Sequence, residues 1–278
     1  MLKIPGLLLL LAPLATVGAQ TRGTVNESRM ISQKDGAKPD TMVMRTTSVG
    51  ARTRVDVTGP GTLVEPWRSM GKTSIMIVTD SGTAVTYVDS ARKSYWTMNT
   101  RSMFNIIQRT TGLTMQPVEG GERPTLDSVG DGGAVAGYQT IHFRGHSTTR
   151  MTMNVLGEPT TWTDVRTTDY YVAAALPSDS LEMSAPSSPK PPRDVATMAL
   201  SDEMKEMAAQ RRATMMRMTK LGATVKTVTD SRMTTTGGAR SQIQTTELLS
   251  HRTMLVPDST FVVPVGYTKT FPGFTPTP

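Results

Sequence analysis

The three histidines are the side chains of this chain best suited to metal binding or acid/base chemistry. His142 and His146 share one face of a predicted strand, but four residues of strand separate them by about 13 Å, too far for one metal ion. His251 stands alone beside Arg252. Because the chain has no cysteine and no carboxylate at ligand spacing, the sequence predicts neither a metal site nor a bound cofactor.

Three short segments resemble enzyme or ion-binding motifs, and each lacks a required residue. Gly-Lys-Thr at residues 71–73 is not a phosphate-binding loop, because Pro66 replaces its first glycine. Gly-His-Ser at residues 145–147 is followed by Thr149, where a nucleophile elbow needs glycine. Residues 127–133 lack the alternating oxygen ligands of a calcium loop and predict a flexible turn. We therefore expect a protein that is not an enzyme.

The first nineteen residues have the pattern of a secretory signal peptide. Lys3 supplies the positive charge, an apolar run follows, and small residues precede the expected cut after Ala19. A membrane anchor is the alternative, but the run is shorter than the roughly 20 residues of a spanning helix and Pro5 and Pro13 interrupt it. The sequence predicts an exported protein, periplasmic or secreted, with no transmembrane segment after cleavage.

Charge and composition limit the partners of the remaining chain, residues 20–278, which we expect to form a single β-rich domain. The formal net charge of the full chain is +7, which favours anionic surfaces such as lipid headgroups. Nucleic acid is not expected, because the arginines are scattered among threonines without a basic stripe or a recognition motif. With no cysteine to form a disulfide, a buried core must stabilise the fold.

Alternation of apolar and polar residues predicts a mainly β (α+β) fold built on antiparallel sheet. In residues 51–57 one face carries Ala, Thr, Val and Val, and the other carries Arg, Arg and Asp. Residues 80–82 (Asp-Ser-Gly) predict a hairpin turn between two such strands. The predicted strands lie at residues 23–32, 41–48, 51–57, 75–78, 83–88, 150–155, 162–171, 224–230, 241–249 and 261–263.

Two segments interrupt the β pattern with helical spacing. Residues 101–110 predict a short helix, and residues 201–221 predict a longer one, with Ser201 as the N-terminal cap and Gly222 ending it. Residues 177–199 are rich in proline and serine and predict an exposed, extended loop. We expect the strands on both sides of this loop to belong to one sheet.

Three motifs resemble a known family. They are YVDSARKSY at residues 87–95, GYQTIHFR at residues 137–144 and FVVPVGY at residues 261–267. In order and spacing they resemble the exported bacterial family called domain of unknown function 4412, whose fold is similar to the lipoprotein carriers LolA and LolB. The resemblance implies a curved antiparallel sheet forming an incomplete barrel around one or two helices. It implies no catalytic residues, and similarity of fold does not transfer the carrier function.

The methionines suggest what such a fold would bind. Unbranched, polarizable side chains adapt to apolar ligands of varied shape, although a methionine stripe on a helix is ordinarily part of a packed core. Both interpretations stay open at this stage. The candidate ligand-binding residues are Met42, Met44, Met151, Met153, Met204, Met207, Met215 and Met218.

Two functions follow from these features. The first is an exported binding protein for an apolar small molecule, a lipid or a lipidated protein, with Arg52 and Arg54 on the outer face available to anionic headgroups. The second is a non-catalytic structural or interaction module that binds another cell-envelope protein through a sheet edge or the proline loop. Trp67, Trp96 and Trp162 are expected to pack in the core rather than to line a site.

Overall fold

The computed structural model describes residues 20–59, 74–79, 83–99, 114–118, 121–155, 158–177 and 202–270. In these residues thirteen strands form one sheet, accompanied by the helix α1 (Asp202–Thr219). The strands are β1 (Gln20–Lys34), β2 (Asp40–Val49), β3 (Arg52–Thr58), β4 (Ile75–Thr79), β5 (Ala84–Asp89), β6 (Ser94–Asn99), β7 (Thr114–Pro117), β8 (Glu122–Val135), β9 (Tyr138–Val155), β10 (Glu158–Ala173), β11 (Ala223–Thr235), β12 (Gly238–Pro257) and β13 (Thr268–Lys269).

The order of the strands shows an open, curved sheet. It runs β13-β6-β5-β4-β3-β2-β1-β12-β11-β10-β9-β7, and β8 also pairs with β9. All pairs are antiparallel except that between β13 and β6. Within the described residues, the β6 edge does not pair with the β7 and β8 edge, so the sheet is not closed. The predicted fold class, a curved antiparallel sheet forming an incomplete barrel, is confirmed.

Tight turns explain why sequential strands pair. Between β8 and β9 the chain reverses at Ala136 and Gly137, which both adopt positive φ, at 49° and 84°. Two successive residues in this conformation produce the turn whose twist matches that of paired strands. Tyr138 begins β9 directly after this turn, and the predicted pairing of residues 75–78 with 83–88 appears as β4 and β5.

Two predictions about local structure are wrong. Residues 127–133, predicted to be a flexible turn, lie inside β8, where irregular pairing with β9 accommodates the glycines. Residues 261–263, predicted to be a strand, are instead the last residue of a 3₁₀ turn at Asp258–Phe261 and the two irregular residues after it. The long helix is confirmed as α1, and no described helix combines the length and apolar character that crossing a membrane demands. The leader, the helix at 101–110, the turn at 80–82 and all of the proline loop except Pro177 lie outside the described residues.

Strand pairing places methionine almost entirely on one face of the sheet. Following the register from strand to strand, every strand methionine except Met254 occupies a position of the same face, although alternation alone would put about half on each. We call this face the methionine face. Its methionine positions are Met30, Met42, Met44, Met76, Met98, Met115, Met151, Met153 and Met233.

The opposite face is covered over β2 to β5 by the C-terminal strap, residues 258–270. Phe261 of the strap packs in a buried cluster whose other members are sheet residues. Beyond it, the Thr268 amide donates a hydrogen bond to the Lys93 carbonyl oxygen at 2.9 Å, which brings the strap to the β6 edge. We call this side the strap face. The sheet members of its buried cluster are Val49, Ile75, Ile77, Val88 and Val256.

The strap also binds Arg52 and Arg54, which the sequence analysis expected at an exposed surface. Arg52 forms an ion pair with Asp258 at 2.7 Å, and its guanidinium lies 4.8 Å from the centre of the Phe261 ring. Arg54 binds Asp56 and donates to the carbonyl oxygen of Thr260 at 3.1 Å. Both arginines thus lie on the face opposite the methionines, as expected, and there they bind the strap; their contact with anionic headgroups stays a prediction.

Removing the aromatic ring of Phe261 tests the strap. We expect Phe261→Ala to lower the free energy of unfolding by about 3–5 kcal/mol, because a buried ring is lost and a cavity remains. Urea denaturation measures this change. Val262→Ala is the control, since Val262 is 61% exposed and should change stability by less than about 0.5 kcal/mol. Equal, small effects of both substitutions would show that the strap does not stabilise the sheet.

Candidate functional site

Over β2 to β6 the methionine face is a packed core. Met42 and Met44 lie in a buried cluster in which the Tyr87 and Trp96 rings stack with centroids 4.3 Å apart. Burial raises the pKa of Tyr87 to about 12, because the charged phenolate is costly away from water. Trp96 is a core residue as expected. The remaining buried members of the cluster are Met30, Val55, Met76 and Val85.

Over β9 to β12 the same face has a different composition. Met151 is buried opposite Trp162, which is only partly buried. Farther along the strands, partly buried Phe143 pairs with partly buried Tyr170. Beside this pair lie hydroxyl groups, with the Thr168 and Thr229 oxygens 3.2 Å apart and Thr246 buried. This half of the face therefore combines apolar rings and methionine with hydroxyls and with the Asp164–Arg166 ion pair, at 2.8 Å, which lies between Trp162 and Thr168 along β10.

The helix α1 packs against the same part of the sheet. It contacts β7, β8 and β11, and Met218 in its last turn is 2% exposed. Met216, two residues earlier, is 57% exposed, which shows that the helix has a buried and a solvent-facing side. The helix is thus fixed near its C-terminal end, with one methionine directed into the protein.

A close backbone contact fixes that end of the helix. Gly222 has φ of 142°, and a Cβ at this position would collide with the backbone of Ala173 on β10. The next residue, Ala223, donates a hydrogen bond from its amide to the Leu176 carbonyl oxygen at 2.9 Å. Glycine therefore ends the helix as predicted and also lets the chain approach β10 closely.

The structure separates the candidate methionines rather than gathering them. Met42 and Met44 belong to the packed cluster on β2, whereas Met151 is on β9, five strands away. At about 4.8 Å per strand, this is about 24 Å along the sheet. Met218 is buried on α1. The side chains of Met153, Met204, Met207 and Met215 lie outside the described part of the structure, as does Trp67.

The strap face carries a polar network that the sequence did not reveal. Asp169 accepts hydrogen bonds from Arg144 Nε at 2.7 Å and Nη2 at 3.2 Å, and His142 Nε2 lies 2.8 Å from its Oδ1. The His142 ring stacks on Tyr171 with centroids 4.8 Å apart, and the Lys226 ammonium lies 5.2 Å from the centre of the tyrosine ring. Each member contacts another, so the network stabilises three adjacent strands.

The other two histidines also bind to neighbouring strands. His146 Nδ1 lies 3.0 Å from the Thr167 hydroxyl, and His251 Nδ1 lies 2.6 Å from Asn26 Oδ1. His142 and His146 share a face as predicted, but each has its own partner on β10. Among the described residues, no group of three or more potential ligands is placed to hold a metal ion.

Comparison with known proteins gives one structural likeness. No family model matches the chain, and no curated protein matches it. A solved structure of a LolA superfamily protein from Nitrosomonas europaea aligns over 87% of this chain and 90% of its own, with 8% identity and a TM-score of 0.28. At this TM-score the likeness carries no argument about function, and membership of the domain of unknown function 4412 family stays a prediction.

The ionisation of Asp169 gives a pH-dependent test of the polar network. The Arg144 hydrogen bond lowers the pKa of this carboxyl below its usual value; partial burial opposes the shift, and His142 adds to it. A carboxyl with a lowered pKa stabilises the folded state above its unfolded-state pKa, about 3.9, and this stabilisation is lost as pH falls through the folded-state value.

We therefore expect Asp169→Asn to cost about 1–2 kcal/mol of unfolding free energy at pH 7, where the carboxylate is charged. The difference from wild type should shrink toward zero as the solution is acidified below pH 4. Urea denaturation across this pH range measures it, and Asp230→Asn, at an exposed position of β11, is the control. A difference independent of pH would contradict the ionic role of Asp169.

Proposed function

We propose that this protein is an exported binding protein that holds an apolar or amphiphilic ligand, such as a lipid or the acyl chain of a lipidated protein. The ligand lies against the methionine face of β9 to β12, beside α1. One observation carries the proposal: strand register assigns all strand methionines except Met254 to one face of an open sheet. Flexible, polarizable side chains suit a surface that must fit acyl chains of different length and shape.

The two halves of the sheet differ in their capacity for a ligand. Over β2 to β5 both faces are packed, one by the Met42 and Met44 cluster and the other by the strap. Over β9 and β10 the aromatic residues Phe143, Trp162 and Tyr170 are only partly buried. Apolar rings that remain partly accessible offer contact area to a ligand, whereas a packed core does not.

Hydroxyl groups on the same face favour an amphiphilic ligand over a purely hydrocarbon one. Thr168, Thr229 and Thr246 lie among the apolar side chains, and each hydroxyl can donate and accept a hydrogen bond. A few placed polar groups in an apolar site fix the orientation of a ligand. We infer that the polar end of the ligand lies near these threonines and the Asp164–Arg166 ion pair, and that its apolar part lies against Met151 and Trp162.

An interaction module is the second candidate, and the edge strand β8 favours it. Along Glu122–Val135 this strand pairs with β9, and the described residues supply no strand on its other side. An exposed edge of this length can accept an extended segment of another envelope protein by strand addition. The irregular pairing of β8 opposes this use, because bulges bend an edge away from regular pairing.

The effects of glutamine substitutions on probe affinity distinguish a ligand-binding surface from a packed core. We expect Met151→Gln and Trp162→Gln each to weaken binding of a fluorescent fatty-acid probe about tenfold, equivalent to about 1.4 kcal/mol, because an amide replaces an apolar contact. Fluorescence titration measures the affinity. Met44→Gln is the matched control: it should lower stability but leave the affinity of the folded protein unchanged.

The unfolding free energies of alanine variants show how an absence of probe binding would be interpreted. Truncation to alanine should cost about 2–5 kcal/mol where methionine is tightly packed, and clearly less where it borders exchangeable space. If wild-type protein binds no probe and Met151→Ala costs as much as Met44→Ala, the whole methionine face is filled core. The interaction module would then be the better account.

A further inference from the structure

Exposed apolar side chains recur along the segment that runs from β12 through the strap. Leu255 is 60% exposed, Val262 is 61% exposed and Val265 is fully exposed. These lie within a stretch of seventeen residues, 249–265. We call this set the apolar rim; its members are Leu249, Met254, Leu255, Val262 and Val265. Isolated exposed apolar residues are ordinary on protein surfaces, but a group on one segment marks an interaction surface.

The rim includes a projecting tip of the sheet. Residues 20–23 of β1 pair with residues 254–257 of β12, whereas pairing of β1 with β2 begins only at Thr24. The first residues of β1 and the last of β12 therefore form a two-stranded ribbon beyond the end of β2. Met254 and Leu255 are successive residues of this ribbon, so they point to opposite faces.

The charge around the rim is positive. Arg22, which pairs in register with Leu255, and Arg252 are both exposed, and neither has an ion-pair partner among the described residues. The acidic residue of the strap, Asp258, is bound to Arg52. Two guanidinium groups without an ion-pair partner therefore lie beside Met254 and Leu255. The strap supplies no free carboxylate, and the nearest acidic position on β1 is Glu27, in register with Ser250.

We propose that the apolar rim docks on an anionic lipid surface. The apolar side chains enter the headgroup region, and Arg22 and Arg252 bind lipid phosphates, since arginine forms paired hydrogen bonds with phosphate oxygens. Because apolar residues lie on both faces of this narrow ribbon, a fluid lipid interface can contact both faces at once. A rigid protein partner would cover one face and leave the other exposed. This surface is separate from the ligand site proposed on β9 to β12.

Vesicle binding tests the proposal on protein purified from the exported fraction of expressing cells. Co-sedimentation compares vesicles containing phosphatidylglycerol with vesicles of phosphatidylcholine alone. We expect wild-type protein to bind the anionic vesicles, and high salt to release it. The paired substitutions Leu255→Ser with Val265→Ser, and Arg22→Gln with Arg252→Gln, should each lower the partition coefficient about tenfold or more.

A matched pair elsewhere on the strap face controls for general loss of exposed apolar surface. Val165 and Ile243 are 50% and 45% exposed, and Val165→Ser with Ile243→Ser should leave vesicle binding unchanged. Thermal unfolding confirms that each variant is folded. Absence of wild-type binding, equal losses in control and rim variants, or rim variants that change only self-association would each overturn the proposal. Fatty-acid probe binding is measured separately, so failure of either proposal is distinguishable.

Discussion

The pairing of β1 with β12 is the interaction on which the rest of the structure depends. It joins Gln20–Lys34 to residues 242–257 and is the one seam, in the described residues, between the β2 to β6 half and the β9 to β11 half. One irregularity, between Glu27 and Ser28, interrupts its register. The strap begins where β12 ends, so this seam also determines where the strap crosses the sheet. Both proposed surfaces, the ligand site and the apolar rim, take their positions from it.

Strand register places nearly all strand methionines on one face of the sheet. That face is packed core over β2 to β5 and the proposed ligand surface over β9 to β12. On β2 to β5 the strap packs the opposite face and the methionine cluster is core. On β9 to β12 the opposite face carries the Asp169 network, which stabilises the strands from the solvent side. The methionine face of that half is less completely packed, because Phe143, Trp162 and Tyr170 are only partly buried. This division explains why Met44 and Met151, alike in type and face, are assigned different roles.

Alternation within single strands was readable from the sequence, whereas everything that depends on pairing between strands was not. Residues 51–57 and 75–78 predicted their strands because one face must be apolar. The turn predicted at residues 127–133 is wrong because these residues belong to an edge strand. An edge strand is paired on one side only and tolerates the glycine and aspartate residues that usually indicate a turn. Residues 261–263 have strand composition but cross the sheet instead of joining it. The Asp169 network could not be foreseen, since its members lie 25 and 27 positions apart and meet only through the register of β9 with β10.

The seam between β1 and β12 has a consequence for folding of the newly made chain. Its partners are more than 200 positions apart, so the loop-closure entropy is large and the contact order of the sheet is high. Synthesis delivers β1 first, and its edge stays unpaired until residues 242–257 emerge. Such a chain folds late and slowly, with an open strand edge that is prone to aggregation in the meantime. For the export that we propose, this delay would be an advantage, because the seam cannot form before the C-terminal strands arrive.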